Sequence, residues 1–282
     1  MSYLEAGKGP PVVFLHGGIA SARMWRKVLP LLPHNRCIAV DLIGTGASGQ
    51  PTEQAALVAT DDFTWQQHAS YLAEFLDVVG VRHDITLVMH GWSPFVVYHW
   101  AQQNRDRLRG LAFVEAIVAP FGYRDLDESL REIFLMARGE AGHEFVVDSG
   151  KLFDTLIDTQ TLRPLAPEVA DAYRATTSSG RHAIYAALRA LPIGGEPREA
   201  VELARRGNTW LRETDLPKLI VLGRPGAMSS SVPNDTLSRA RNLTVATMRG
   251  RHLLPEESPE SLSLCLKMWL SRLGATSHTK RR

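Results

Sequence analysis

The sequence predicts a doubly wound α/β fold, with a mostly parallel sheet and an inserted helical cap. Three observations predict it. Short, fully apolar runs alternate with helical patterns toward both ends of the chain, and strands apolar on both faces belong in a parallel sheet covered by helices. The stretch from about Pro120 to about Asn208 is helical in pattern and holds no buried strand. It reads as a cap over the carboxyl ends of the strands, where such sheets keep their ligand pockets. At 282 residues, 44% hydrophobic and 22% charged, the chain has ample material for one large core, or for a core with an insertion.

The elements follow in order. "PVVFLHGG" is a buried strand running into a glycine turn, and "RCIAVDLIGTGASG" is a second strand ending in a glycine-rich loop. "TWQQHASYLAEFLDVVG" repeats Leu72, Phe75, Leu76 and Val79 at helical spacing and stops at Gly80. "DITLVMH" and "RGLAFVEA" are the next two strands. The cap pattern contains "DESLREIFLMARG", "SGKLFDTLID" and "PEVADAYRATTSSGRHAIYAALRAL"; after it come the strands "LPKLIVLG" and "NLTVATM" and the closing helix "SLSLCLKMWLSRL". The expected organisation is core over 1–119, cap over 120–208, and core again over 209–282 with a basic tail.

Composition excludes several function classes. Three of the positive charges behind the net +2 are the last residues, Lys280, Arg281 and Arg282, so the body is close to neutral and offers no nucleic-acid surface. Cys37 and Cys265 sit in apolar runs and read as small core residues, which fits a reducing cytoplasm. No export signal and no run of 18 apolar residues is recognisable, so no membrane partner is expected. No metal-ligand spacing or Walker-type loop occurs, and "GTGASG" is not a dinucleotide fingerprint, so neither metal nor cofactor is expected.

Three motifs carry chemistry. "FLHGG" brings the backbone N–H groups of Gly17 and Gly18 out of a strand with no side chain to obstruct them, as an oxyanion hole requires, although a plain tight turn has the same letters. "MHGWSP" has the layout of a nucleophile elbow, with Gly91 at the exposed position and Trp92 supplying the next N–H. "RGRHLLPEESP" puts His252 in a loop between the last strand and the final helix, where a general base would stand. Ser93 precedes Pro94 and reads first as a helix N-cap, with a nucleophilic role as the alternative. His90 and His99 flank the turn and read as packed or hydrogen-bonded side chains.

Together these pieces resemble the α/β-hydrolase superfamily and, within it, the haloalkane dehalogenases. The resemblance is carried by "FLHGGIASARMWRKVLPLLP", "CIAVDLIGTGASGQP", "LVMHGWSPFVVYHWAQQNRDRLRGLAFVEAI", "LPIGGEP", "TDLPKLIVLGRPGAM" and "GRHLLPEESP", in order over most of the chain. It implies an α/β-hydrolase fold with a cap, His252 as base, and Glu115 as the acid that orients it. The loop "RPGAMSSS" after "LIVLG", where many such enzymes keep the acid, has no carboxylate. It further implies that Gly91 stands where the family has its attacking aspartate, and that Gly18 stands where many members have a halide-binding asparagine beside the retained Trp92. The cap stretch "YRATTSSGRH" also departs from the family, and the chain begins near the family's second strand, so an edge strand is expected to be absent or to lie upstream.

Three functions fit this reading. The first is cofactor-free acid–base chemistry by His252 and Glu115 beside an oxyanion hole of Gly18 and Trp92, as in elimination, isomerisation, cyclisation or a lyase step on a biosynthetic intermediate. The second is a ligand-binding or partner-binding pseudoenzyme, and the third a hydrolase using Ser93 or a water activated by His252. The first is favoured, because a binding module has no use for a buried charged pair. Phe134, Met136, Phe145, Phe153 and Leu156 in the cap suggest a hydrophobic small molecule. The vacated position at Gly91 is expected to leave a space about the size of a carboxymethyl group between His252 and the oxyanion hole.

Overall fold

The computed structural model describes residues 1–49, 65–178 and 180–279. Gln50 and Pro51 of the glycine-rich loop, the helix start at Thr64, Ser179 of the cap and the tail from Lys280 to Arg282 lie outside the described residues. Seven strands form one sheet: β1 (Tyr3–Ala6), β2 (Pro11–Leu15), β3 (Arg36–Val40), β4 (Ile85–Gly91), β5 (Leu108–Ala116), β6 (Lys218–Pro225) and β7 (Leu243–Gly250), in the order β1-β3-β2-β4-β5-β6-β7. All neighbours are parallel except β1, which runs antiparallel to β3. The first edge is occupied by "YLEA", where the resemblance places the family's second strand; it is largely exposed and too short for a periodicity signal. The central strands show no in–out alternation because both of their faces are covered: Val12 to Leu15, Leu87 to Met89 and Leu111 to Val114 are all buried.

The helices are α1 (Trp65–Val78), α2 (Pro94–Gln103), α3 (Glu128–Arg138), α4 (Lys151–Thr159), α5 (Pro167–Ser178), α6 (Arg181–Arg189), α7 (Arg198–Glu213), α8 (Asn234–Arg239), α9 (Leu254–Glu257) and α10 (Pro259–Thr279). No helix of the described residues is long and apolar enough to cross a membrane. α1 buries Leu72, Phe75 and Leu76 on one face, and the chain leaves it through Gly80 at φ +72°. Residue 208, the expected end of the insertion, falls inside α7. That helix runs on to Glu213 because it packs on α2: a β-carbon at Gly207 would lie 2.1 Å from the Tyr98 ring. Asn208 is buried there and donates to the carbonyl of Val118 and to Thr236 Oγ1 (3.2 and 2.9 Å). Cys37 is buried as expected, whereas Cys265 is only half-buried, since it sits toward the outer side of α10.

Helices α3 to α6 lie between β5 and β6 in sequence and are tied to the core by polar contacts. Trp65 Nε1 donates to the carbonyl of Ala190 (3.1 Å). Tyr173 of α5 donates to Glu256 (3.0 Å), a buried carboxylate that also holds Arg26 and, at 2.9 Å, Lys27. The carbonyl of Gln160, just past α4, accepts the N–H groups of His252 and Leu253 (3.0 and 3.1 Å). These contacts close the insertion over the ends of β2, β4, β5, β6 and β7. Those strands are adjacent in the sheet, so the loops leaving their carboxyl ends converge.

Candidate active site

The turn after β4 is a sharp one. Gly91 closes the strand at φ +57°, in the left-handed region that disfavours any side chain, and the chain enters α2 three residues later. A β-carbon built on Gly91 would sit 3.2 Å from Gly17 Cα and 3.4 Å from His252 Nε2. The apex therefore faces the imidazole directly. Gly17 is required by the same crowding, for a β-carbon there would meet the carbonyl oxygen of His90 at 2.7 Å and Gly91 Cα at 2.9 Å. Gly18, at φ +24°, faces open space. Among the described residues, neither the backbone N–H of Gly18 nor that of Trp92 donates to any group. Two free N–H groups beside one turn are what a developing oxyanion needs.

Glu115 stands next to last in β5, fully buried and at φ +44°. Its carboxylate is saturated by the end of β6 and the loop after it: Oε1 accepts the N–H of Gly223 (2.6 Å) and the Ser229 hydroxyl, and Oε2 accepts the N–H groups of Ala227 and Met228 (2.8 Å each). Burial pushes its pKa up, but the adjacent His252 ring and the donors from Ser229 and Met228 outweigh it and hold the group down at about 2. Glu115 is thus ionised. His252 Nδ1 lies 3.9 Å from Oε2, beyond hydrogen-bond reach, and has no partner among the described residues. The hydrogen bond expected between this pair is not formed, because the segment over 223–229 already fills both carboxylate oxygens and the ring leans toward Gly91.

Gly18, Gly91, Trp92 and His252 line one cavity. Its volume is about 60 Å³, room for about four to six waters or one small organic molecule. Its wall is otherwise apolar except for Gln160. Of the five apolar cap residues singled out from the sequence, Phe134 and Leu156 line it. Phe145 and Phe153 are buried elsewhere, and Met136 is half exposed on the outer side of α3, so these three do not shape the cavity. The expected carboxymethyl-sized space is partly taken by the ring. Along the line from Gly91 to His252 there is depth for one carbon, and anything longer must turn sideways into the cavity.

Residues 10–174 match the family described as alpha/beta hydrolase fold. Haloalkane dehalogenases from Sphingobium indicum and Agrobacterium fabrum are 30% and 33% identical over 277 and 278 residues, covering 97% and 96% of this chain and 92% and 88% of their own. The chain belongs to the α/β-hydrolase family, among its haloalkane dehalogenase-like members. Solved structures agree. The dehalogenase DatA from Agrobacterium tumefaciens superposes with a TM-score of 0.85 at 31% identity, covering 96% of this chain and 92% of that one. DbeA from Bradyrhizobium elkani superposes with 0.86 at 29% identity, covering 97% and 94%.

Within this dehalogenase-like chain, Ser93 occupies the N-cap position of α2 without capping it, since its own backbone is already helical (φ −60°, ψ −17°). Its hydroxyl folds back across the turn, accepting the His90 N–H (2.9 Å) and lying within bonding distance of the carbonyls of His90 (2.8 Å) and Leu15 (3.3 Å). The side chain is fully buried. Ser93→Ala is expected to lower stability by about 1 to 2 kcal/mol by leaving buried partners unmet while activity stays within about twofold of wild type on the rate-to-energy scale. A thermal melt with an activity assay checks this; lost activity at unchanged stability would make Ser93 the nucleophile.

His90 lies under the site. Its Nε2 donates to the carbonyl of His252 (2.8 Å), and the two rings are 4.2 Å apart. Burial, and next the neighbouring His252, lower its pKa well below the ordinary value, so it is a neutral support. His99 is exposed and contacts Gln103 on the surface of α2. His16 is another neutral buried ring: Leu42 N–H donates to its Nε2 (3.1 Å), leaving Nδ1–H for the carbonyl of Gly17 (3.1 Å). Sequence reasoning missed His16 and Gln160. Their only signals are a histidine before two glycines and a glutamine in "DTQTLRP", letters common to ordinary turns and helix ends.

Proposed function

We propose that this chain is a haloalkane dehalogenase-like protein that has lost the covalent nucleophile and acts as a cofactor-free acid–base catalyst on a neutral hydrophobic small molecule. The observation that carries the reading is the apex of the elbow. Gly91 holds the place of the family's aspartate in the resemblance, and its absent β-carbon is aimed at His252 Nε2. Among the described residues that line the cavity no other nucleophile takes its place, and Ser93 is buried with its hydroxyl engaged. Among the described residues, the polar groups left at the cavity are a base, two N–H donors and the Gln160 amide. They suit removal of a proton next to a carbonyl, with the enolate oxygen held by Gly18 and Trp92 and the proton on His252 Nε2. Glu115 Oε2 stands 3.9 Å from His252 Nδ1, on the side of the ring away from the cavity. Elimination, isomerisation, cyclisation and lyase steps all begin this way.

Halide release from short 1-haloalkanes, measured against buffer, tests the loss of the nucleophile. The wild type is expected to release none above background, and release at the rate of an active dehalogenase would overturn the proposal. Gly91→Asp restores a carboxylate at the apex. It is expected to lower the melting temperature by about 2 to 4 °C, as a positive-φ side chain costs about 1 kcal/mol in a chain of this size. It should also suppress the native reaction by crowding His252, and give only trace halide release, because Gly18 offers no side-chain donor for the departing halide. An unchanged melt and unchanged native activity would mean that Gly91 is not the apex.

A further inference from the structure

The polar groups at the cavity also restrict what it binds. Ile117, Leu130, Phe134, Leu188 and Met228 form much of the wall, and among the described residues no Lys, Arg, Asp or Glu lines it. A single carboxamide stands against that wall. Gln160 follows the last turn of α4, is 3% exposed, and is anchored by its own carbonyl to the N–H groups of His252 and Leu253. Its side chain is therefore held at a set offset from the imidazole. Among the described residues that side chain makes one hydrogen bond, from Nε2 to Thr159 Oγ1 (3.1 Å). Oε1 and the second amide N–H have no partner among the described residues. A buried carboxamide has up to four hydrogen bonds to make and is rarely left this open away from a ligand site.

We infer that Gln160 is a substrate-binding residue that selects neutral molecules carrying two oxygens. One is a carbonyl oxygen for the N–H groups of Gly18 and Trp92, and the other a hydroxyl or carbonyl for the Gln160 amide. An amide both donates and accepts, so it matches either group. A carboxylate or phosphate would be buried among apolar side chains with no Lys or Arg of the described residues beside it, so its charge would be desolvated without a partner. This inference rests on the cavity being the substrate site of the proposed acid–base reaction.

Binding of three probes, followed by ligand-observed NMR, tests it: cyclohexanone, 4-hydroxycyclohexanone and cyclohexanecarboxylate. The wild type is expected to bind the hydroxyketone about threefold to tenfold more tightly than the plain ketone, the worth of one hydrogen bond, and the carboxylate most weakly. Gln160→Leu and Gln160→Met should each erase that preference and leave cyclohexanone affinity within about twofold. Both variants keep the main-chain anchor to His252, and a melt identifies the folded ones. A preference that survives either folded variant, no binding of either ketone, or tightest binding of the carboxylate would overturn the inference. The test reads binding alone, so it is separate from the fate of the acid–base reading, which is decided by proton exchange in His252→Ala.

Discussion

His252→Ala is expected to abolish proton transfer while leaving the fold intact. Removal of a general base costs about 10²- to 10⁴-fold in rate. Among the described residues neither ring nitrogen of His252 has a hydrogen-bond partner, and Nε2 faces Gly91 and the cavity. Its loss therefore breaks no hydrogen bond, and the loop is still held by the main-chain bonds from Gln160. The measurement is exchange of α-protons of a bound ketone in D₂O, followed by NMR beside a thermal melt. Exchange should fall to the buffer rate with the melting temperature lowered by no more than a few degrees. Wild-type exchange in the variant would exclude His252 as the base and favour a cavity that works by binding alone. A collapse of stability would make the ring a packing element.

Glu115→Gln has the second large expected effect, and it falls on stability. Both carboxylate oxygens are occupied by donors from the segment over 223–229. An amide placed there turns its NH₂ toward at least one backbone N–H, whichever way it is flipped, and two donors then face each other in a fully buried site. The expected loss is about 3 kcal/mol, or a fall in melting temperature of about 10 °C. The same logic sets an acid limit. Glu115 has a folded pKa of about 2 against an ordinary 4.5. The unfolded chain thus binds the proton first as pH falls, and the stability present above about 4.5 is lost progressively down to about 2. Chemical denaturation from pH 7 to 3 should show this slope in the wild type and a reduced slope in the variant. If Glu115→Gln kept full stability but lost proton exchange, the carboxylate would serve to orient His252 and not to hold the loop.

Much of the site was legible because its pieces are short and local. "FLHGG", "MHGWSP" and "RGRHLLP" each end a strand with small residues at a turn, and a buried apolar run followed by glycine marks both the strand and its carboxyl end. Since parallel strands bring those ends together, the convergence of Gly18, Gly91, Trp92 and His252 followed from the fold class. The edge strand at Tyr3 to Ala6 was legible only through the resemblance, which places the family's second strand there, because four largely exposed residues have no period to read. The continuity of α7 through residue 208 was not legible. It depends on Gly207 fitting the Tyr98 ring, a contact between residues far apart in the chain.

The sequence alone therefore determined the doubly wound α/β class and the order of the motifs, because strand and helix periods and turn residues act within a few positions of one another, and the resemblance carried by those motifs implied the α/β-hydrolase fold and a glycine where the family has its aspartate. Tertiary structure alone decided which polar atoms meet. Glu115 bonds to Ala227, 112 positions away, instead of to His252; Ser93 turns its hydroxyl back on His90; and Gln160 of the cap enters the cavity beside the base. Hydrogen bonds fall off within a few tenths of an ångström, and that precision is set by strand register and by how the cap is anchored to the core.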